Sequence, residues 1–374
     1  MLIKNCLLYD KNELTDILIV DGKIKEIGKQ SNPADDAVID AGGKTIIPGL
    51  IEVHLQGAGG ADILDGTEDA VLTISKTLAK LGTTSFLGTT VVKPAEDNRH
   101  LRTASKLVKK ELNGAYLLGF HLEGPFINPK KKGGLAPDSI YDSSPEKLEE
   151  IFDVLGNTLK MMTIAPEMPG NLEIIKELRK HNTIPSFAHS DANYEEALKG
   201  IEAGICHVTH IFNAMPPLQH RTPGPLAAIF EDKSISAQII SDGHHLHPSI
   251  VNIVYRMIGA ERCICITDGM QAMGLPDGTY TYNGREYTSI AGAAKYDDGT
   301  LIGSTMSLLN IALKFKEFTN CTFAEAINTV TKNPAKLLGL ENKKGCITVG
   351  ADADMVILND DYSVSTTIIN GKTV

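Results

Sequence analysis

Residues 116–134 read YLLGFHLEGPFINPKKKGG, and the conformation of this stretch decides the architecture. The apolar run is short and ends at Gly124-Pro125, which suits a buried strand rather than a helix. On a strand His121 and Glu123, two residues apart, share one face, and the Gly-Pro pair turns the chain away directly after the carboxylate. Lys130 to Lys132 then read as an exposed, solvated loop. Polar residues near the end of one apolar strand are commonly hydrogen-bonded core groups, so their meaning depends on whether other strands end in the same way.

Strand-like runs recur on both sides, at 50–55, 83–91, 116–124, 159–167, 183–191, 205–213, 234–242 and 262–269. Helical patterns lie between most of them, as in EDAVLTISKTLAKLG, NLEIIKELRKHN, YEEALKGIEAG and SIVNIVYRMIGA, where apolar residues return every three or four positions. Eight strands alternating with helices over roughly 220 residues predict an α/β fold of the TIM-type (β/α)8 barrel class. The flanks have a different texture. Residues 1–48 and 341–374 hold short strands with hairpin signals at Asp21-Gly22 and Asn370-Gly371. The two chain ends are therefore expected to pair into one small, discontinuous β-sandwich domain beside a catalytic barrel of residues 49–340. A β insertion is expected around 278–303, with Asn283-Gly284 and Asp298-Gly299 as its turns.

Composition narrows the class. The chain has 374 residues, 42% of them apolar and 22% charged, with no apolar stretch of membrane-spanning length. A cytoplasmic protein with no membrane partner is expected. The net charge of −10 argues against a general nucleic-acid surface. Cys6, Cys206, Cys263, Cys265, Cys321 and Cys346 form no C-x-x-C pair and are expected to be unpaired thiols.

In the barrel class, reactive groups sit at the C-terminal ends of the strands. His54 and Gln56 close the first run, Glu123 the third, His189 the fifth and Asp268 the eighth, while His210 lies near the end of the sixth. Burying so many imidazoles and carboxylates at one rim is costly, and a divalent metal satisfies them directly.

Beyond this reading, PGLIEVHLQGAGGADILDG, HLEGPFINPKKKG, AHSDA, VTHIFNAMPPL, SDGHHLHP and ITDGM resemble, in order and along nearly the whole chain, the N-acetylglucosamine-6-phosphate deacetylases of the amidohydrolase superfamily. The pairing of HLEGP with THIFNAM carries most of this resemblance. It implies a metal-dependent TIM barrel with a β-sandwich built from both chain ends. It also implies hydrolysis of N-acetylglucosamine 6-phosphate to glucosamine 6-phosphate and acetate, in amino-sugar catabolism and cell-wall recycling. By the same resemblance Glu123, His189 and His210 are the metal ligands and Asp268 the catalytic carboxylate. His245 touches substrate, and Asn213, Ala214 and Arg221 hold the phosphate. Arg221 would reach the neighbouring subunit's site, which implies a homodimer. Zinc is the expected metal, with iron, manganese and cobalt as alternatives.

Two departures from the family pattern bear on this. Many relatives carry His-x-His on the first strand, whereas this chain has His54-Leu55-Gln56. A neutral carboxamide is a poor zinc ligand, so one metal per chain is expected, with His54 and Gln56 as partial ligands at most. Many relatives also place a substrate-touching His shortly after the lysine run, where this chain has Gly133-Gly134-Leu135-Ala136-Pro137. This leaves N-acetylgalactosamine 6-phosphate or another N-acyl amide as an alternative substrate. A barrel that has lost catalysis and only binds is a more remote alternative.

Overall fold

The computed structural model describes residues 1–11, 13–29 and 37–374, so residues 12 and 30–36 of the first β segment lie outside the described residues. Eight parallel strands organise the centre of the chain: β1 (Leu50–Leu55), β2 (Thr83–Thr90), β3 (Tyr116–Leu122), β4 (Leu159–Ile164), β5 (Ile184–Phe187), β6 (His207–Val208), β7 (Ser236–Ile239) and β8 (Cys263–Cys265). Each pairs with its neighbours in chain order. The sheet curls, and β1 is bridged to the segment that follows β8. Leu55 forms a parallel bridge with Gly269, and the Gln56 and Gly57 amides donate to Gly269 O at 2.9 and 3.1 Å. The buried Glu52 carboxylate ties the same seam, accepting from the amides of His54 (2.9 Å) and Thr267 (3.0 Å).

A helix follows each strand, and the first shows why. In Glu68–Lys80 the apolar residues Val71, Ile74 and Leu78 repeat at helical spacing and are buried, while Thr67 caps the Ala70 amide. Inside the curled sheet, Ile51, Val53, Leu87, Met161, Ile264 and Ile266 form a separate apolar cluster closed from one end by Ala335 and Leu338.

The expected strands are all present, but several end sooner than the apolar runs suggest. Runs 183–191, 205–213 and 262–269 keep ladder pairing only over Ile184–Phe187, His207–Val208 and Cys263–Cys265. The backbone gives the reason. His189, His210 and Asp268 have φ of 48°, 30° and 49°, a left-handed conformation that interrupts regular ladder pairing and that costs a non-glycine residue about 1–3 kcal/mol.

Both chain ends enter one eight-stranded mixed sheet. Thr45–Pro48 lies between Leu2–Leu8, to which it is parallel, and Met355–Leu358, to which it is antiparallel. Its hairpins turn at Asp21-Gly22 and Asn370-Gly371, where all four residues have positive φ (49°, 71°, 51° and 73°). After β8, Gly278–Tyr282, Arg285–Ile290, Ala293–Lys295 and Leu301–Ser304 form a four-stranded antiparallel sheet. The last of these strands is fastened beside the end of β8, because the Ser304 amide donates to Asp268 O at 2.9 Å. Among the described residues no helix is long and apolar enough to cross a membrane, and all six cysteines are free thiols.

Candidate metal-dependent active site

The C-terminal rim of the parallel sheet brings together the polar strand ends of six different segments. Glu123 follows β3, where Gly124, at φ 103°, redirects the chain into a cis Gly124–Pro125 peptide. Glu123 Oε1 lies 3.0 Å from both His189 Nε2 and His210 Nε2, and the two imidazole nitrogens are 3.2 Å apart. All three residues are buried, and their ligand atoms lie within 4.8 Å of one another.

The chemistry of this set fits a cation. His189 Nδ1 is 2.7 Å from Lys131 O and can only donate to that carbonyl. In the neutral ring Nε2 then carries a lone pair aimed at a carboxylate oxygen and at a second imidazole nitrogen. His210 is kept neutral chiefly by burial, which lowers its pKa against the raising effect of Glu123. Burial alone would raise the Glu123 carboxyl, but the adjoining imidazoles of His189, His210 and His54 hold it well below the usual range. Electron pairs converging in this way repel unless positive charge lies among them, and a Glu-His-His set is a normal divalent-metal donor group.

Asp268 stands beside this triad. Gln56 Nε2 donates to its Oδ1 at 3.0 Å and His54 Nε2 lies 3.3 Å from the same oxygen, while His245 Nε2 is 3.8 Å from Oδ2. Residues 54 and 56 thus share a face, as their spacing predicts. Burial lowers the His54 pKa, yet the Asp268 and Glu123 carboxylates outweigh it and push the imidazole up to about 9. The Gln56 carboxamide spends its N–H on Asp268, and its buried Oε1 has no hydrogen-bond partner. His245 is oriented from behind by Asp242, whose Oδ2 is 2.6 Å from Nδ1. Burial would raise the Asp242 carboxyl, but His245 and the amides of residues 244 and 245 hold it below its ordinary value.

Gln56, Glu123, His189, His210, His245 and Asp268 line a cavity of about 150 Å3 whose wall also includes Gly133, Gly134, Asn213, Ala214, Tyr282 and Ile302. Arg221 is exposed and not among the lining residues. His244 and His247 are engaged elsewhere, His244 near Ala291 O (3.2 Å) and His247 as the cap of helix Pro248–Ile258. His121 is buried between Val53 O (3.3 Å) and Thr163 Oγ1 (2.8 Å), beneath the rim.

Several supporting groups escaped the sequence reading. Gln238 Oε1 lies 2.9 Å from His54 Nδ1, and Asp242 sits in the quoted SDGHH stretch three residues before His245. Glu167 collects Asn128, Ser190 and the Asp191 amide, and so braces the turn carrying His189. The lysine run is more than a solvated loop, since it supplies the Lys131 carbonyl and pairs Lys131 with Asp191 at 3.3 Å. Only the Asp-x-x-His spacing was a usable signal; the other contacts are made across loops distant in sequence.

Comparisons with known proteins agree with this geometry. The amidohydrolase family model matches residues 45–374. An N-acetylglucosamine-6-phosphate deacetylase of Bacillus subtilis (strain 168) is 34% identical over 381 residues, spanning 100% of this chain and 96% of that one. An N-acetylgalactosamine-6-phosphate deacetylase of Escherichia coli O157:H7 is 32% identical, spanning 98% and 97%. Among solved structures, a mutant N-acetyl-D-glucosamine-6-phosphate deacetylase of Mycobacterium smegmatis in complex with N-acetyl-D-glucosamine-6-phosphate superposes with a TM-score of 0.91 at 28% identity, covering 100% of this chain and 98% of that one. From its sequence, its fold and its converging carboxylates and imidazoles, this chain belongs to the N-acetylglucosamine-6-phosphate deacetylases of the amidohydrolase family.

Proposed function

We propose that this protein hydrolyses the acetamide of N-acetylglucosamine 6-phosphate to glucosamine 6-phosphate and acetate. The observation that carries the reading is the buried Glu123–His189–His210 triad with Asp268 at its side, in a chain alignable end to end with deacetylases of that name. Glu123, His189 and His210 would hold one divalent metal, zinc being favoured by the two imidazoles. The chemistry a divalent cation supplies there is Lewis acidity, which acidifies water and polarises a carbonyl.

Asp268 takes the proton of the attacking water as the new C–O bond forms at the acetyl carbon. It then returns that proton to the sugar nitrogen, and the C–N bond breaks to release amine and acetate. Gln56 and His54 fix Asp268 from one side, so the first strand serves the carboxylate rather than a second metal. His245, its tautomer set by Asp242, presents Nε2 to the acetyl oxygen or a sugar hydroxyl. Asn213 and Ala214 lie at the cavity wall where the phosphate end would rest. Exposed Arg221 fits a role in the neighbouring subunit's site, which makes the working unit a homodimer.

In architectural terms, the bridged seam between β1 and the Gly269 segment supports a closed (β/α)8 barrel over residues 49–340. Residues from both chain ends, Ile3, Ile17, Ile46, Met355 and Ile368 among them, share one apolar cluster, which supports a β-sandwich domain of 1–48 and 341–374. The 278–303 segment is an insertion that lids the rim. The absence of a membrane-crossing helix among the described residues is in keeping with action in the cytoplasm.

Acetate release from N-acetylglucosamine 6-phosphate by metal-quantified protein tests the reading, with the galactosamine epimer and the unphosphorylated sugar in parallel. Turnover of the phosphorylated glucosamine substrate at about one metal per chain is expected. A preference for the galactosamine epimer would establish the second reading, favoured by the Gly133-Gly134 wall and the Escherichia coli relative. Bound metal with no turnover of any of the three would overturn both.

A further inference from the structure

At the opposite end of the parallel sheet from Glu123 lies a second, larger cavity of about 390 Å3. Its wall is formed where β3 and β4 begin, by Tyr116, Leu118 and Lys160, and by Leu340, Lys343 and Lys344 on the segment leading into the terminal sheet. In a chain of net charge −10, four lysines gather here against only two carboxylates, Asp352 and Asp354. Lys344 engages both of these, at 3.1 and 2.5 Å. Lys109, Lys160 and Lys343 have no carboxylate oxygen within 4.0 Å among the described residues.

Two backbone features hold these lysines at the cavity. Lys109 adopts a left-handed φ of 59° while its amide donates to Leu117 O at 2.9 Å, which fixes it against β3. Gly119 leaves room for Lys160, since a Cβ there would meet its Cγ at 2.7 Å. Burial, then the nearby Lys109 charge, lower the Lys160 ammonium pKa, the mark of a cation without its counter-ion. The volume falls within the range of small-molecule sites, and the wall pairs an apolar side with point charges suited to phosphate.

We propose that this cavity binds a small organic phosphate, with its anionic group between Lys109, Lys160 and Lys343 and its organic part against Tyr116 and Leu118. Three ammonium groups without a carboxylate partner, of which Lys160 also donates to the Asn157 carbonyl at 2.5 Å, match a dianion better than a single carboxylate. The site lies outside the catalytic cavity and does not depend on the deacetylase reading.

Glucose 6-phosphate, which has no acetamide to cleave, serves as the probe. It is titrated calorimetrically into metal-loaded wild type, a Lys109→Glu/Lys160→Glu variant and an Arg221→Ala variant. The expected result is saturable binding that survives Arg221→Ala and weakens about tenfold or more in the double-lysine variant. Deacetylation by that variant should stay within about twofold of wild type, because neither lysine touches the catalytic cavity. Should the charge reversals prevent folding, Lys109→Gln/Lys343→Gln, at two exposed positions, makes the same comparison. Absence of saturable binding overturns the proposal. So does binding that ignores the lysines, or binding lost with Arg221→Ala, which belongs to the catalytic cavity.

Discussion

At the scale of single residues, the site is built from side chains placed by unfavourable backbone. His189, His210 and Asp268 all carry left-handed φ, and each is held there by loop hydrogen bonds such as Asn128 N to His189 O at 2.8 Å and Asn213 N to His210 O at 2.9 Å. The strain turns each side chain off its strand and toward its partners. In the proposed reaction Asp268 carries the proton, and in this geometry it contacts His54, Gln56 and His245 rather than Glu123. Asp268→Asn should therefore lower kcat by about 10²–10⁴-fold while metal content per chain, read by elemental analysis, stays at the wild-type value. Loss of metal together with activity would instead make Asp268 a ligand.

At the scale of elements, two segments far apart in sequence close over the rim. The Gly133–Leu135 loop and the Leu301–Ser304 strand line the same cavity. They touch closely, since a Cβ on Gly134 would stand 2.9 Å from Ile302 Cγ2. The loop that lacks the family's histidine is thus packed tightly against the insertion, and the size of residue 134 sets where Ile302 lies. Gly134→Ala should displace Ile302 and raise KM for the phosphorylated sugar about three- to tenfold with a smaller change in kcat. Steady-state kinetics on both epimers would check it, and an equal loss in both parameters would point to damage at the triad instead.

At the scale of the whole molecule, subunit and domain contacts enter. If Arg221 serves the neighbouring site, Arg221→Ala and Asp268→Asn chains are each nearly inactive alone. Unfolded together and refolded as an equal mixture, they should recover about a quarter of wild-type activity, because half the dimers then hold one complete site. No recovery would place Arg221 in its own subunit's site or outside catalysis. Within one chain, Asp352 links Lys23 of the first β segment with Lys344 beyond the last helix. Burial raises its pKa, but the two lysines outweigh this and hold it below the ordinary 3.8. A depressed carboxyl stabilises the fold fully above its unfolded value and loses that contribution as pH falls through the folded one. Asp352→Asn should cost about 1 kcal/mol at pH 7, and denaturant titrations should show the gap to wild type closing below pH 3.8.

The sequence by itself determined the alternation of strands and helices, the Asp-Gly and Asn-Gly hairpins, and the residues that stand at strand ends, because periodicity and turn chemistry are local. It could not tell where the ladders stop. Runs such as AHSD and VTHIF look like continuing strands, and only the packing of neighbouring loops drives His189 and His210 into left-handed backbone. Nor could it show that Gln56 turns its N–H to Asp268, that the Lys131 carbonyl sets the His189 tautomer, or that Asp242 stands behind His245. Those contacts join residues on different strands or loops, so they exist only once the sheet has curled and brought its strand ends together.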